Sequence, residues 1–107
     1  MNLFVVGREA GPAWIDGKGA FEQPAAIDHA AFMDSLAKDG VVVAAGPVAG
    51  TESGRIRVVL IASATTEDEV RQRLADDPWE GAGRLHTLSV EPWSLFVGAD
   101  RMQTPTA

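Results

Sequence analysis

Cysteine is absent from the 107-residue sequence, and histidine occurs only twice, as His29 and His86. The lack of cysteine excludes disulfide bonds, thiolate catalysis and cysteine-based metal sites. Two histidines are too few for a dedicated zinc site, although weak metal binding by one of them together with a carboxylate stays open. We therefore expect a protein that requires neither a metal nor another cofactor.

Positive charge is also scarce, because 9 Lys and Arg residues stand against 15 Asp and Glu residues, which gives a formal net charge of -6. Nucleic acids and anionic membranes bind basic protein surfaces, so we expect neither as a partner. No apolar run is long enough to span a bilayer, and the first residues do not have the pattern of a signal peptide. We expect a cytoplasmic, single-domain globular protein.

Four strand patterns and two helical patterns alternate along the chain. The predicted strands are residues 3–6, 41–45, 56–62 and 85–91, and the predicted helices are residues 24–39 and about 66–75. Their order, β-α-β-β-α-β, predicts an α+β protein of the ferredoxin-like arrangement, in which both helices cover one face of a four-stranded antiparallel sheet. We assign residues 1–98 to this domain and residues 99–107 to a flexible C-terminal tail.

The third predicted strand indicates what covers the other face of the sheet. One of its faces is apolar, and the opposite face also carries Val59 and Ile61. Because the helices cover only one face, we expect a homodimer in which the open faces of two sheets pack together.

Residues 9–21 contain three glycines and a proline and are predicted to form a long loop without regular structure. Loops of this length often close over a binding site. Trp14 within this loop favours folding of the loop over the body of the protein, where it forms either a lid over a binding site or a segment that only shields the core.

His29 lies on the apolar stripe of the first predicted helix, together with Phe32, Met33 and Leu36. A single histidine in such a position is more often a structural residue than a catalyst. Its place near the N-terminus of the helix, however, favours a neutral imidazole that can act as a base.

Asp77 lies at a bend, because Pro78 ends the preceding helical pattern and the residues that follow include Gly81 and Gly83. Most Asp-Pro pairs only form turns. A carboxylate held by rigid backbone next to Trp79 is nevertheless a candidate functional group.

Four segments together resemble the YciI-like (YCII-related) family of small proteins with a dimeric α+β barrel fold. They are the helix that carries His29, residues 42–47 (VVAAGP), residues 75–83 (ADDPWEGAG) and residues 90–93 (VEPW). The resemblance covers about residues 3–97. The aspartate-proline-aromatic run that ends in alanine-glycine is its most specific part.

The resemblance implies an active site that contains a histidine–aspartate pair, and the matching residues here are His29 and Asp77. It also implies a cofactor-independent enzyme, since the family includes a dehydrochlorinase that acts in the breakdown of chlorinated aromatics. The chain departs from the family at Ala26, where many members carry an arginine. This departure argues against the anionic substrates that such an arginine would bind.

A carboxylate that accepts a hydrogen bond from one imidazole nitrogen raises the basicity of the other nitrogen, which can then move a proton on a substrate. We therefore expect lyase, isomerase or dehydrochlorinase chemistry on a small molecule, for which an aromatic ring is one candidate. The predicted substrate-binding residues are Trp79, Phe32, Pro47 and Trp14. Two alternatives remain: a non-catalytic dimeric domain that binds a small molecule, and an accessory domain in which the pair only stabilises the fold. A serine hydrolase is less favoured, because nothing marks Ser35 or Ser53 as a nucleophile.

Overall fold

The computed structural model describes residues 1–102, which form one four-stranded sheet and three α-helices. The strands are β1 (Asn2–Ala10), β2 (Val42–Pro47), β3 (Arg57–Ala64) and β4 (Leu85–Pro92). The helices are α1 (Ala26–Lys38), α2 (Glu67–Ala75) and α3 (Pro78–Gly81). Short 3-10 turns lie at Ala20–Glu22, Thr51–Ser53 and Ala99–Met102.

The sheet has the strand order β2-β3-β1-β4, and every neighbouring pair is antiparallel. This topology confirms the predicted ferredoxin-like α+β fold. Pro47 lies at the end of β2, which is an edge strand, and an edge tolerates a residue that has no N–H to donate. No described helix is both long and apolar enough to cross a membrane.

Local sequence signals account for the ends of the two longer helices. Gly40 has a φ of 80°, and the N–H groups of Gly40 and Val41 donate to the carbonyls of Ala37 and Leu36, which closes α1 in a Schellman motif. At the start of α2, the Thr66 hydroxyl accepts a hydrogen bond from the backbone N–H of Glu69 at 3.2 Å.

Two apolar clusters fill the space between the sheet and the helices. The larger one surrounds Val6, Leu60 and Val70 and contains most of the buried aliphatic side chains. The second surrounds Trp14 and Trp79, and Ala10 on β1 belongs to it. Side chains alternate along a strand, so Arg8 lies between Val6 and Ala10 on the same face and enters the protein between the two clusters.

The first strand is longer than predicted, and the prediction of an irregular loop over residues 9–21 was wrong at both ends. Glu9 and Ala10 belong to β1, and Ala20–Glu22 forms a 3-10 turn. Gly7, Arg8 and Glu9 have weak strand propensity, but pairing with β3 and β4 on both sides holds them extended.

The fourth strand departs from simple alternation, in which His86, Leu88 and Val90 would share one face. The register shifts where Gly7 pairs with Ser89 and Arg8 pairs with Thr87, so Leu88 has no partner on β1. This bulge reverses the alternation, and the buried residues of β4 are Leu85, Thr87 and Val90.

The open face of the sheet bears partly exposed apolar side chains, including Val59 at 47% and Leu88 at 52% exposure. The homodimer stays a prediction. After β4, residues 94–97 form no strand, and Phe96 and Val97 are exposed. The predicted tail begins with the Ala99–Met102 turn, and its remaining residues, 103–107, lie outside the described part of the chain.

Candidate active site

Asp77 caps the short helix α3 rather than simply ending the helix before it. Pro78 occupies the first turn of α3, where its missing N–H costs nothing. The Asp77 carboxylate accepts a hydrogen bond from the backbone N–H of Trp79 at 2.9 Å, and the residue is only 1% exposed. The sequence therefore fixes a buried carboxylate at the start of a helix, and Gly83, with a φ of 72°, allows the chain to turn into β4.

The structure brings His29 into contact with this carboxylate. His29 lies in the first turn of α1, where its backbone N–H donates to the carbonyl of Ala25. Its Nδ1 atom lies 2.8 Å from Oδ2 and 2.9 Å from Oδ1 of Asp77. Residues 48 positions apart in the chain therefore form a hydrogen-bonded pair.

A buried arginine completes the cluster. Arg8 Nη2 donates to Asp77 Oδ2 at 3.0 Å and to Glu80 Oε2 at 2.8 Å, and the Arg8 side chain is 1% exposed. Thr87 Oγ1 donates to the same Glu80 oxygen at 3.0 Å. The two carboxylates offset the cost of burying the guanidinium, since a buried charge is tolerated only with charged or hydrogen-bonding partners.

The surroundings of Asp77 keep it ionised. Burial alone would raise its pKa, but the hydrogen bond from His29, the charge of the His29 ring when it is protonated, the N–H of Trp79 and the charge of Arg8 together hold the pKa below its ordinary value. An ionised carboxylate can only accept hydrogen bonds, so Nδ1 of a neutral His29 carries the ring proton. The lone pair of that imidazole is then on Nε2.

An aromatic stack holds the imidazole in place. The ring of Trp79 lies parallel to that of His29, with centroids 4.0 Å apart and an interplanar angle of 5°. Trp79 Nε1 donates to the carbonyl of Pro24 at 2.8 Å, just before α1. Trp14 packs edge-on against the Trp79 indole, with ring centroids 5.6 Å apart.

His29 faces a cleft of about 370 Å³. No residue within 1–102 forms a hydrogen bond with its Nε2 atom, and the side chain is 19% exposed. Most residues that line the cleft are apolar, and they include Met33, Pro47, Ile56, Val58, Trp79 and Leu85. The volume and lining are those of a site for a small organic molecule.

The predicted binding residues divide into two groups. Trp79 and Pro47 line the cleft. Phe32 instead packs against the larger apolar cluster, and Trp14 lies behind Trp79, so neither is among the residues of the cleft wall. The hydroxyls of Ser35 and Ser53 donate to backbone carbonyls of their own turns, which gives no support to a nucleophilic role.

Arg8 and Glu80 were missed by the sequence analysis. The signal for Arg8 is its position two residues from Val6 in an extended segment, which places it on the buried face. Glu80 lies three residues after Asp77, one turn along the helix that Asp77 caps. No group of three or more potential metal ligands converges anywhere in residues 1–102.

Hydrogen bonds and one close backbone contact hold the segment after β1 against the rest of the protein. Gln23 is buried, and its side-chain amide accepts from the N–H of Ile15 and donates to the carbonyls of Ile15 and Lys18, each at 3.0 Å. At Gly11 a Cβ atom would lie 2.3 Å from the carbonyl oxygen of Gly83, so only glycine permits the contact with the chain before β4. Phe21, 93% exposed, lies at the edge of the cleft.

Residues 14–94 match the YCII-related domain family. Among solved structures, the chain is similar to the 5-chloro-2-hydroxyhydroquinone dehydrochlorinase TftG from Burkholderia phenoliruptrix AC1100, in its complex with 2,5-dihydroxybenzoquinone. The sequences are 27% identical over 86% of this chain and 93% of the other, with a TM-score of 0.59. No curated protein matches the chain significantly by sequence.

Proposed function

The chain belongs to the YCII-related domain family, and from this premise we propose that it is an enzyme of small-molecule metabolism in which His29 is the general base and Asp77 its orienting partner. One observation carries the proposal. His29 Nδ1 is bound by a buried, ionised carboxylate, while Nε2 lies on a cleft with no partner among the described residues. This arrangement leaves one basic nitrogen available to a bound molecule.

The similarity to a dehydrochlorinase supports a proton-transfer reaction on a hydroxylated ring. In such a reaction, the base moves a proton from a ring hydroxyl to the chlorinated carbon. A second hydroxyl proton then leaves as chloride departs with the electrons of the C–Cl bond, so that the substrate loses HCl overall. Every step is a proton transfer or the loss of chloride, so the reaction needs no oxidant or reductant. In this proposal His29, oriented by Asp77, carries the proton transfers.

The test is turnover by the purified protein with chlorinated hydroxyquinones and hydroquinones, followed by chloride release. We expect His29→Gln and Asp77→Asn each to reduce kcat by about 100-fold or more, because general-base catalysis contributes that much. His86→Gln is the matched control, since His86 is exposed on β4, and it should leave turnover unchanged.

Turnover, ligand binding and the stability of the same variants, measured by circular dichroism and urea unfolding, together separate the proposed function from its alternatives. Full activity in His29→Gln would overturn the proposal. Binding of these rings without turnover in the wild type would instead favour a non-catalytic binding domain. A loss of stability in Asp77→Asn of about 1–3 kcal/mol, with neither binding nor turnover in the wild type, would leave the pair a purely structural role.

A further inference from the structure

A second hydrogen-bond acceptor lies on the cleft that contains His29. Glu52 lines this cleft from the Thr51–Ser53 turn between β2 and β3. Its Oε2 atom is buried, and no residue within 1–102 donates a hydrogen bond to it. Buried acceptors in folded proteins nearly always have a donor, so the Glu52 carboxylate is suited to a donor that a bound molecule supplies.

The position of Glu52 is held by the surrounding backbone rather than by its carboxylate. The chain at Gly19 packs closely against the turn, since a Cβ atom at Gly19 would lie 3.1 Å from the carbonyl oxygen of Glu52. The Thr51 hydroxyl donates to the carbonyl of Val48 at 2.8 Å and fixes the start of the turn. The carboxylate therefore belongs to a residue of the cleft wall with a defined backbone, and within residues 1–102 its Oε2 atom forms no hydrogen bond that would hold the fold.

The charges around the cleft disfavour an anionic ligand. Arg8 is the only cationic side chain among the described residues that line the cleft, and Asp77 and Glu80 already pair with it. The remaining charged side chains of the lining are Asp34 and Glu52, both acidic. The negative charge of an anionic ligand would be repelled by these two side chains, whereas a neutral molecule would not be repelled.

We propose that Glu52 is a substrate-binding residue and that the cleft selects an uncharged single ring with two hydroxyl groups. The Glu52 carboxylate accepts a hydrogen bond from one hydroxyl, and His29 Nε2 accepts from the other. The apolar walls formed by Trp79, Ile56 and Val58 contact the ring. The role of the His29 contact in catalysis rests on the proposed function, but the preference for two donors depends on binding alone.

The first experiment compares pairs of ligands in which O-methylation removes one hydrogen-bond donor. Calorimetry would measure the affinity of the wild-type protein for the 1,2-, 1,3- and 1,4-dihydroxybenzenes and for their monomethyl ethers. At least one diol should bind about tenfold more tightly than its ether, since a hydrogen bond to a charged group contributes at least that factor. Equal affinities for all three pairs would overturn the proposal without any mutation.

The second experiment assigns the preference to Glu52. Glu52→Met removes the acceptor at similar size, and Glu67→Met makes the same change on the exposed surface of α2. We expect the first variant to bind the diol and its monomethyl ether equally and the second to keep the tenfold difference. Retention of the full preference in Glu52→Met would overturn the assignment, and Glu52→Gln, which keeps the shape without the charge, should show a reduced preference.

The two proposals can fail separately. If the protein shows the diol preference but no turnover, the catalytic role of His29 fails and the role of Glu52 stands. If chlorinated substrates turn over but diols and ethers bind equally, the catalytic role stands and the role of Glu52 fails.

Discussion

At the scale of single residues, the candidate site depends on a guanidinium that is almost completely buried. Arg8 connects Asp77 to Glu80, and through Asp77 it bears on the orientation of His29. Its contacts with the two carboxylates satisfy Nη2, and Nη1 lies 3.8 Å from the sulfur of Met33. Arg8 is therefore a positioning residue. Burial raises the pKa of Asp77, and the charge of Arg8 adds to the larger effects of His29 and of the Trp79 N–H that hold this pKa low.

We expect Arg8→Met to lower the free energy of unfolding by about 3–5 kcal/mol at pH 7, because it leaves the buried Asp77 carboxylate without its cation. Arg71→Met is the matched control. It breaks an exposed pair between Arg71 and Glu67 on α2, which contributes only about 0.5 kcal/mol. Urea unfolding of both variants measures the difference, and a similar, small effect for both would contradict the role assigned to Arg8.

The effect of Arg8 should also depend on pH. The folded protein holds the pKa of Asp77 below its ordinary value, so the stability that this group contributes is present above about pH 4 and is lost as the pH falls. The stability difference between wild type and Arg8→Met should accordingly be largest near neutral pH and shrink toward pH 3. A difference that stays constant over this range would mean that Arg8 acts through packing alone.

The sequence predicts His29 and Asp77 but not Arg8 and Glu80, and this difference has a physical reason. The helical stripe around His29 and the Asp-Pro bend are local patterns, readable within a few residues. The partners of Arg8 are 69 and 72 positions away. The spacing of Arg8 from Val6 indicates the buried face, but no local pattern indicates which carboxylates compensate its charge. Nor does any local pattern report the stacking of Trp79 on His29, which depends on tertiary packing.

At the scale of elements, the start of α1 decides where His29 lies. The residue before the helix, Ala25, has a φ of 60°, the left-handed conformation, and no side chain caps the helix. The carbonyl of Pro24 accepts from Trp79, and the carbonyl of Ala25 accepts from the N–H of His29. The segment that contains the strained Ala25 therefore forms hydrogen bonds with both residues whose rings stack in the site.

We expect Ala25→Gly to raise the free energy of unfolding by up to about 1 kcal/mol, because glycine adopts this conformation without the penalty that a Cβ atom brings. Ala31→Gly, at an exposed position within the same helix, should lower it by about 1 kcal/mol. The same substitution is thus expected to change the free energy of unfolding in opposite directions at the two positions, so each variant is a control for the other. Thermal unfolding measures both, and a loss of stability in Ala25→Gly would contradict the strain.

Elements with strong local signals were predicted well, and those set by pairing were not. The cap at Thr66 and the Schellman end at Gly40 lie close to where the sequence placed them. The bulge at Leu88 was not predicted, since it depends on the register between β4 and β1. The sequence predicts only a bend where α3 lies, because four residues are too few to show a helical period.

At the scale of the whole molecule, the open face of the sheet is the surface at which we expect a second copy of the chain to bind. Val59 on β3 and Leu88 on β4 are both about half exposed, and β1 lies between these strands. Apolar side chains grouped on one face are typical of an interface, whereas scattered ones are normal on a surface. A two-fold axis through this face would bring the same patch of each copy together.

We expect light scattering at micromolar concentration to give twice the chain mass of 11.3 kDa. Val59→Lys combined with Leu88→Lys should give the monomer mass, because burying two ammonium groups against their own symmetry copies costs more than the apolar contact contributes. Ile27→Lys is the matched control: Ile27 is 86% exposed on α1, away from the open face, and its replacement should leave the dimer intact. A wild-type protein of monomer mass would contradict the prediction, and the sheet would then keep its apolar face in water.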